Sequence, residues 1–265
     1  MSEAKAHAKI NLALVVGPRR TDGKHEVATV LQRVELADGI ELESGAALEI
    51  AGFPEDTLVR DALLALGAAA DVEPNWTVRI EKRIPVAAGL GGGSSDAAAA
   101  LRLANDTLAD PLAEERLHAL AAGIGADVPF FLTEGPQLGT EDGTRLEPVE
   151  LPHDYWVVLV LPTEVEKVST AAIYEAFRRV DGFEARRASV REALAAADLA
   201  GLPPNDLASS PLADELRGLG AFRADVTGAG PAVYGLFADR DRAEAARLAV
   251  APRGRTWLTA PAWYG

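Results

Sequence analysis

Between residues 85 and 96 the chain reads Pro-Val-Ala-Ala-Gly-Leu-Gly-Gly-Gly-Ser-Ser-Asp, and four alanines follow. Glycines this closely spaced let successive backbone N–H groups turn to one side without Cβ clashes, which forms a concavity suited to an anion. The small residues after them predict a helix from about Ser95 to Leu108. Its unpaired N–H groups and positive dipole end would face the same concavity. Upstream, Trp76–Ile84 places Val78 and Ile80 on one side and Arg79 and Glu81 on the other, the alternation of a half-buried strand. Ser94 and Ser95 suit the N-cap, and their hydroxyls can donate to a phosphate or join a magnesium shell. A strand, a glycine turn and a small-residue helix in this order constrain the fold more than any other stretch of the chain.

The segment is neither of the two common phosphate fingerprints. No Lys follows the glycines, as a Walker A loop requires, and counting from Gly89 the sixth position of G-x-G-x-x-G is Ser94. A flexible linker or a tight strand–helix turn would also be glycine-rich. Neither needs the strand before the glycines or the close-packing residues after them.

Elsewhere strands and helices alternate irregularly. Strands are predicted over Ile10–Val16, Val27–Val34, Gly39–Leu42, Ala47–Ile50, Tyr155–Leu161 and Arg255–Leu258, and on both sides of a glycine loop within Ala224–Phe237. Helices are predicted over Leu58–Ala70, Ala113–Ala122, Thr170–Val180, Ala188–Ala197 and Arg240–Val250. The lack of strict strand–helix–strand order argues for α+β over a doubly wound parallel sheet. A chain of 265 residues divides into roughly 1.8 units of typical size. The proline-bearing stretch Glu147–Asp154 is the natural boundary, giving units 1–150 and 151–265.

Charge and composition exclude whole classes. A net charge of −14 argues against coating nucleic acid or an anionic membrane. Without a single Cys there is no disulfide framework, zinc finger, iron–sulfur site or thiol nucleophile. The four His show no metal-binding spacing. The apolar run near the N-terminus is too short to span a membrane and lacks a cleavage site, so a cytoplasmic location is expected. Against the acidic total, Lys5, Lys9, Arg19, Arg20, Lys24 and Arg33 outnumber the acids of the first 34 residues.

Two further positions carry candidate chemistry. Lys9 and Asn11 form a polar pair inside an apolar strand, in a chain with only five Lys against 21 Arg. An exposed edge-strand charge is the bland alternative for Lys9. Asp127, in Gly125-Ala-Asp-Val-Pro129, is either a turn residue or a functional carboxylate.

Four segments in order resemble the GHMP kinase superfamily: Ala8-Lys-Ile-Asn-Leu12, Pro85 to Asp96, Gly125-Ala-Asp-Val-Pro-Phe-Phe131 and Thr227-Gly-Ala-Gly230. Within it they most resemble the branch whose acceptor is 4-diphosphocytidyl-2-C-methyl-D-erythritol, in the non-mevalonate route to isoprenoid precursors. Arg20-x-Asp22-Gly23-x-His25, Gly139-Thr140, Val168-Ser-Thr170 with Tyr174, and Asn205-Asp206-Leu207 add to the likeness. The motifs run from residue 8 to residue 230, nearly the whole chain.

The resemblance implies an N-terminal domain like domain 2 of ribosomal protein S5, a ferredoxin-like C-terminal domain, and a site in the cleft between them. It implies that Pro85, Val86, Ala87, Ala88, Gly89, Leu90, Gly91, Gly92, Gly93, Ser94 and Ser95 wrap the ATP phosphates, with Lys82 also on the nucleotide and Ser95 offered to Mg²⁺. It implies Asp127 as catalytic base with Lys9 beside it and the acceptor hydroxyl. On the substrate side it implies Asn11, Lys24, His25, Thr170, Tyr174, Gly228 and Gly230. The partners implied are ATP and a small molecule, not nucleic acid or membrane, with the chain a monomer or homodimer.

Three positions depart from the family pattern. Lys24 stands where an aromatic ring usually stacks on the cytosine, Thr57 where Asn is usual, and Ala229 where Ser is usual. Lys24 favours, as a second reading, a sibling kinase whose alcohol acceptor bears a phosphate or carboxylate, of homoserine or mevalonate type. A non-catalytic nucleotide-binding protein is the third reading, and it would need neither Lys9 nor Asp127.

Overall fold

The computed structural model describes residues 1–163, 169–179 and 181–263. The apolar N-terminal region forms two long antiparallel strands, β1 (Ser2–Arg19) and β2 (His25–Ser44). The segments expected separately at Val27–Val34 and Gly39–Leu42 are thus one strand. Register shifts at His7/Ala8 and Asn11/Ala13 bend the pair, as an inserted residue does in any ladder. A short β3 (Glu49–Ala51) precedes α1 (Thr57–Ala70), which the Asp56 side chain caps through Val59 N–H. β4 (Trp76–Glu81) buries Trp76, Val78 and Ile80 and exposes Arg79 and Glu81, as its alternation predicts.

The chain continues through α2 (Gly92–Asn105), α3 (Glu114–Ile124), α4 (Val128–Leu132), β5 (Gln137–Glu141) and β6 (Arg145–Pro148). The second part holds β7 (Trp156–Pro162), α5 (Thr170–Ala176), α6 (Phe183–Ala195), α7 (Pro211–Gly218), β8 (Arg223–Val226), β9 (Val233–Phe237), α8 (Arg240–Val250), β10 (Gly254–Thr259) and β11 (Pro261–Ala262). Of the expected elements, Val180 of one helix and Val168 of one motif lie outside the described residues.

The first sheet runs β3-β4-β2-β5-β6, with β1 and β11 also paired to β2; the second runs β10-β7-β9-β8. Among the described residues only β3–β4 is parallel, so the architecture is α+β as expected. On one face of the first sheet, Val59, Leu63 and Leu66 of α1 and Ala97, Ala98, Ala100 and Leu101 of α2 pack with Trp76 and Val78. Ala97, Ala98 and Ala100 are buried, and their small side chains let α2 lie close to β1 and α1. A second core joins the sheets, with Ile10, Leu12 and Val30 against Val157, Leu159 and Tyr234. Val158 and Val160 face the opposite way, toward α7 and α8. Burial on both faces explains why β7 is apolar without alternation. Each such side chain contributes roughly 1.5–3 kcal/mol when fully buried.

β6 ends at Pro148 and β7 begins at Trp156, while the last strand returns to the first sheet, pairing Pro261 with Val34.

Candidate active site

A cleft of about 950 Å³ is lined by β1, the loop before α2, α5 and the Thr227–Gly230 turn. Pro85 to Ser94 line it without a break. This loop is held from two sides by the backbone. Lys9 N–H donates to the Leu90 carbonyl (2.9 Å), and Ala232 N–H donates to the Ala88 carbonyl (3.0 Å).

The glycines are required by close approach. A Cβ on Gly89 (φ +82) would lie 2.4 Å from the Thr227 carbonyl oxygen. One on Gly91 (φ +71) would press on Lys9 Cγ and on Phe131, both at 3.0 Å. Left-handed backbone at both positions favours glycine independently of the space.

α2 begins three residues earlier than the sequence suggests, and this corrects the expected serine cap. Its N-cap is Gly91, with no side-chain cap bond. The first backbone bond of the helix runs from Ser95 N–H to the Gly91 carbonyl (2.9 Å), so the N–H groups of Gly92, Gly93 and Ser94 precede it. A serine cap would have spent donors that an anion needs.

Ser95 is a second correction. It is buried, and it lines a separate small recess with Ala4, Lys5, Ala99, Arg102 and Phe131 rather than the cleft. The magnesium role expected of it does not fit that placement, because α2 rotates Ser95 away while Ser94 faces the cleft.

Lys9 and Asp127 meet in the cleft. Lys9 Nζ lies 3.4 Å from Asp127 Oδ2, with the Lys9 side chain 4% exposed and that of Asp127 39% exposed. Asp127 sits at the N-cap of α4, where no side-chain cap bond ties it up. Lys9 Nζ also donates to Asn11 Oδ1 at 2.7 Å, and Asn11 Nδ2 donates to Thr29 Oγ1 at 2.8 Å. The polar pair noted in the sequence is therefore an orienting relay, not an edge-strand charge. Asn11 N–H in turn donates to Thr227 Oγ1 at 3.0 Å, which joins β1 to the second glycine turn.

That turn is supported by Asn205, whose Nδ2 donates to the carbonyls of Val226 (2.9 Å) and Gly228 (2.7 Å). Gly228 lines the cleft. Gly230 does not; its carbonyl packs behind Gly89, so its expected substrate contact is also corrected.

At the far end, Lys24, His25, Thr170 and Tyr174 line the cleft together. His25 Nδ1 donates to the Gly17 carbonyl at 2.8 Å, leaving Nε2 buried and without a partner among the described residues. Its ring lies between Tyr174 (6.0 Å) and the edge-on ring of Phe177 (5.7 Å). Burial, then the charge of Asp127, raises the Tyr174 phenol above its ordinary pKa. Lys24 Nζ pairs with Asp142 Oδ2 at 2.6 Å. Sequence reasoning missed Asp142 because nothing near it in the chain marks it; only the β5–β6 hairpin brings it to Lys24. Phe53, which no nearby motif marks, also lines the cleft, as does Arg19, which the sequence offered only as a charge.

Lys82 also lines the cleft, but its ammonium is engaged by Asp38 (2.6 Å) and Asp96 (2.7 Å).

Two sheets with a glycine loop feeding a helix at their junction define the class: a small-molecule kinase of the GHMP type. Residues 57–135 match the GHMP kinases N terminal domain and residues 187–255 the GHMP kinases C terminal family. A 4-diphosphocytidyl-2-C-methyl-D-erythritol kinase of Geobacter sulfurreducens is 36% identical, over 97% of this chain and 96% of that one. A crystal structure of 4-(cytidine 5'-diphospho)-2C-methyl-D-erythritol kinase superposes with a TM-score of 0.83 at 32% identity, covering all of both chains. A homoserine kinase from Cytophaga hutchinsonii, 15% identical with a TM-score of 0.72 over 97% of this chain and 94% of that one, shares the fold. The chain belongs to the 4-diphosphocytidyl-2-C-methyl-D-erythritol kinase family.

Proposed function

We propose that this chain transfers the γ-phosphoryl group of ATP to the 2-hydroxyl of 4-diphosphocytidyl-2-C-methyl-D-erythritol, in the non-mevalonate route to isoprenoid precursors. The observation that carries the reaction is the Lys9–Asp127 pair, set in the same cleft as the free N–H groups at the start of α2. The acceptor hydroxyl donates its proton to the Asp127 carboxylate as its oxygen bonds to the γ-phosphorus. The bond from that phosphorus to the β,γ-bridging oxygen breaks, and ADP leaves with the electron pair. Lys9 keeps positive charge beside the attacking oxygen and the carboxylate. Phosphoryl transfer asks mainly for positioning and electrostatic stabilisation, and this cleft supplies both.

The loop N–H groups of Gly92, Gly93 and Ser94 are assigned to the nucleotide phosphates. Magnesium ions in such sites are held by one or two carboxylates and the phosphates themselves. Here the Ser94 hydroxyl, which lines the cleft, would join the phosphates in holding it, and it would neutralise phosphate charge. His25 Nε2, a buried acceptor in the neutral ring, is assigned to the amino edge of the cytosine, with Tyr174 against the base. Asn11 and Thr170 complete the acceptor side, and the proposed setting is the cytoplasm, as a monomer or homodimer.

The second reading rested on a free cation at Lys24 attracting an anionic acceptor. Asp142 already neutralises that cation, which removes its basis. The test is ADP release with Mg-ATP and a panel of acceptors: the diphosphocytidyl alcohol, homoserine and mevalonate. Turnover with the first is expected. Turnover only with another would overturn the reading, and none with any would favour a binding protein.

A further inference from the structure

Beneath the phosphate loop lies a buried charge cluster that the reaction as described does not use. Asp38, in the middle of β2, is 1% exposed. Its Oδ1 accepts the N–H groups of Arg83 (2.5 Å) and Ile84 (2.8 Å), and its Oδ2 accepts from Lys82 Nζ (2.6 Å). Lys82 Nζ also donates to Asp96 Oδ2 (2.7 Å), and Asp96 is fully buried on α2. Lys82 stands before the loop and Asp96 after it. The contact between them therefore closes the segment that contains every loop residue, and Asp38 anchors that closure to the first sheet.

The position of the ammonium is electrostatically costly. A Cβ on Gly92 would lie 3.3 Å from Lys82 Nζ, so the cation rests against the first residue of α2, at the positive end of the helix dipole. The Phe53 ring covers it at 5.6 Å. Burial opposes the charge on Lys82, yet Asp96 and Asp38 hold its pKa above the ordinary value. A buried cluster of ionisable groups adds little net stability, and its best-attested use is to fix one geometry among alternatives. Here the geometry fixed is the direction of the loop.

We propose that Asp38, Lys82 and Asp96 are positioning residues that clamp both ends of the phosphate loop, so that Lys82 acts on ATP through the loop and not by contact with phosphate. The proposal rests on the reading of this loop as the ATP site. Asp38 is chosen for the test because Asn at that position keeps the Oδ1 acceptor for Arg83 and Ile84 while removing the charge that holds Lys82.

In D38N, the KM for Mg-ATP should rise about tenfold while the KM for the diphosphocytidyl acceptor stays within about twofold. K82M should match it, and D38N/K82M should be no worse than K82M, because one clamp cannot be broken twice. Hydrogen exchange should quicken across residues 83–95 and nowhere else. A folded D38N with an unchanged KM for ATP, equal losses for both substrates, or additive effects in the double variant would overturn the clamp. If D38N does not fold, K82M alone carries the test, with the same two KM values and the same exchange readout. In the unaltered chain, Arg83 and Ile84 amides that exchange as fast as open loop would also overturn it. The exchange readout needs no turnover, so an unaltered chain inactive with ATP would sink the kinase reading separately.

Discussion

Lys9 Nζ stands 3.4 Å from Asp127 Oδ2 and 2.7 Å from Asn11 Oδ1, so a wholly buried β1 lysine is aimed at a carboxylate on another element. The two residues are 118 positions apart in the chain, and the Lys9–Leu90 backbone bond sets the phosphate loop beside them. A charge pair half-open to a cleft is poorly placed to stabilise the fold, because solvent screens it. It is well placed to act on a hydroxyl.

Removing either partner should therefore cost turnover more than stability. Asp127→Asn should lower kcat by about 10²–10⁴, the usual worth of a positioned general base. Lys9→Ala should lower it by about 10²–10³, as lost charge stabilisation does. Steady-state kinetics with far-UV circular dichroism as a fold control checks both. Near-normal turnover in Asp127→Asn would mean that another group accepts the proton.

Gly89→Ala tests the loop. The new methyl would meet the Thr227 carbonyl oxygen at 2.4 Å, in a left-handed backbone that disfavours any side chain. Strain of about 1–3 kcal/mol is expected. Calorimetry should show a lower Tm and kinetics a raised KM for ATP. A variant as stable and as tight for ATP as the parent would show that the loop does not approach the second glycine turn.

Lys24→Tyr tests the base end of the cleft. Loss of the pair with Asp142 should change stability little, since the Lys24 side chain is 56% exposed. A ring there could stack on the cytosine, worth about 1–3 kcal/mol per base, which predicts a KM for the diphosphocytidyl substrate about tenfold lower. An unchanged or higher KM would place the base elsewhere.

What the sequence made legible was whatever a local pattern encodes. The alternation in β4, the apolar run of β7 and the helix α8 follow from periodicity, and the glycine loop from backbone freedom. The start of α2 was misplaced because serines are good caps in general, whereas this helix leaves its first N–H groups uncapped. Ser95 was misassigned by one residue because a helix turns about 100° per position, so neighbours in sequence face different solvents. Asp142 and Asp38 were silent because their partners lie far along the chain, and Asn205 was marked by the resemblance alone, with no role. α4 was unpredicted because five residues are too few for a period to show.

Arg33 holds that short helix. It is fully buried and donates to the carbonyls of Phe130 (2.5 Å), Thr133 (2.7 Å) and Gly135 (3.2 Å), with its guanidinium 4.4 Å over the Phe130 ring. Burial, then the charge of Arg102, pulls its pKa down to about 10, which leaves it charged at neutral pH. It caps the end of α4 opposite to Asp127. Arg33→Met should cost about 3 kcal/mol by orphaning the Thr133 and Gly135 carbonyls. It should also lower kcat with little change in the KM for ATP, because the carboxylate loses its fixed direction. Equilibrium unfolding and kinetics on one preparation separate the two effects; a kcat equal to the parent's would leave Arg33 a purely structural residue.

Asp96 gives the fold a pH dependence whose sign can be worked out. Burial, then the charge of Asp38, pushes its carboxyl up from 3.8 to about 8, with Lys82 opposing the rise and Asp56 adding to it. The folded chain then binds a proton that the unfolded chain has released, throughout the interval between those two values. Stability falls with rising pH wherever the folded state holds more protons. This contribution is complete below 3.8 and is lost as pH climbs through about 8. Asp96→Asn cannot titrate, so its stability should change less between about pH 5 and about pH 8 than the parent's does, with the two curves drawing together or crossing toward the alkaline end. Urea unfolding at several pH values in that range measures the difference directly. Parallel curves would show that Asp96 stays ionised across the range, with the paired Lys82 ammonium outweighing both its burial and the charge of Asp38.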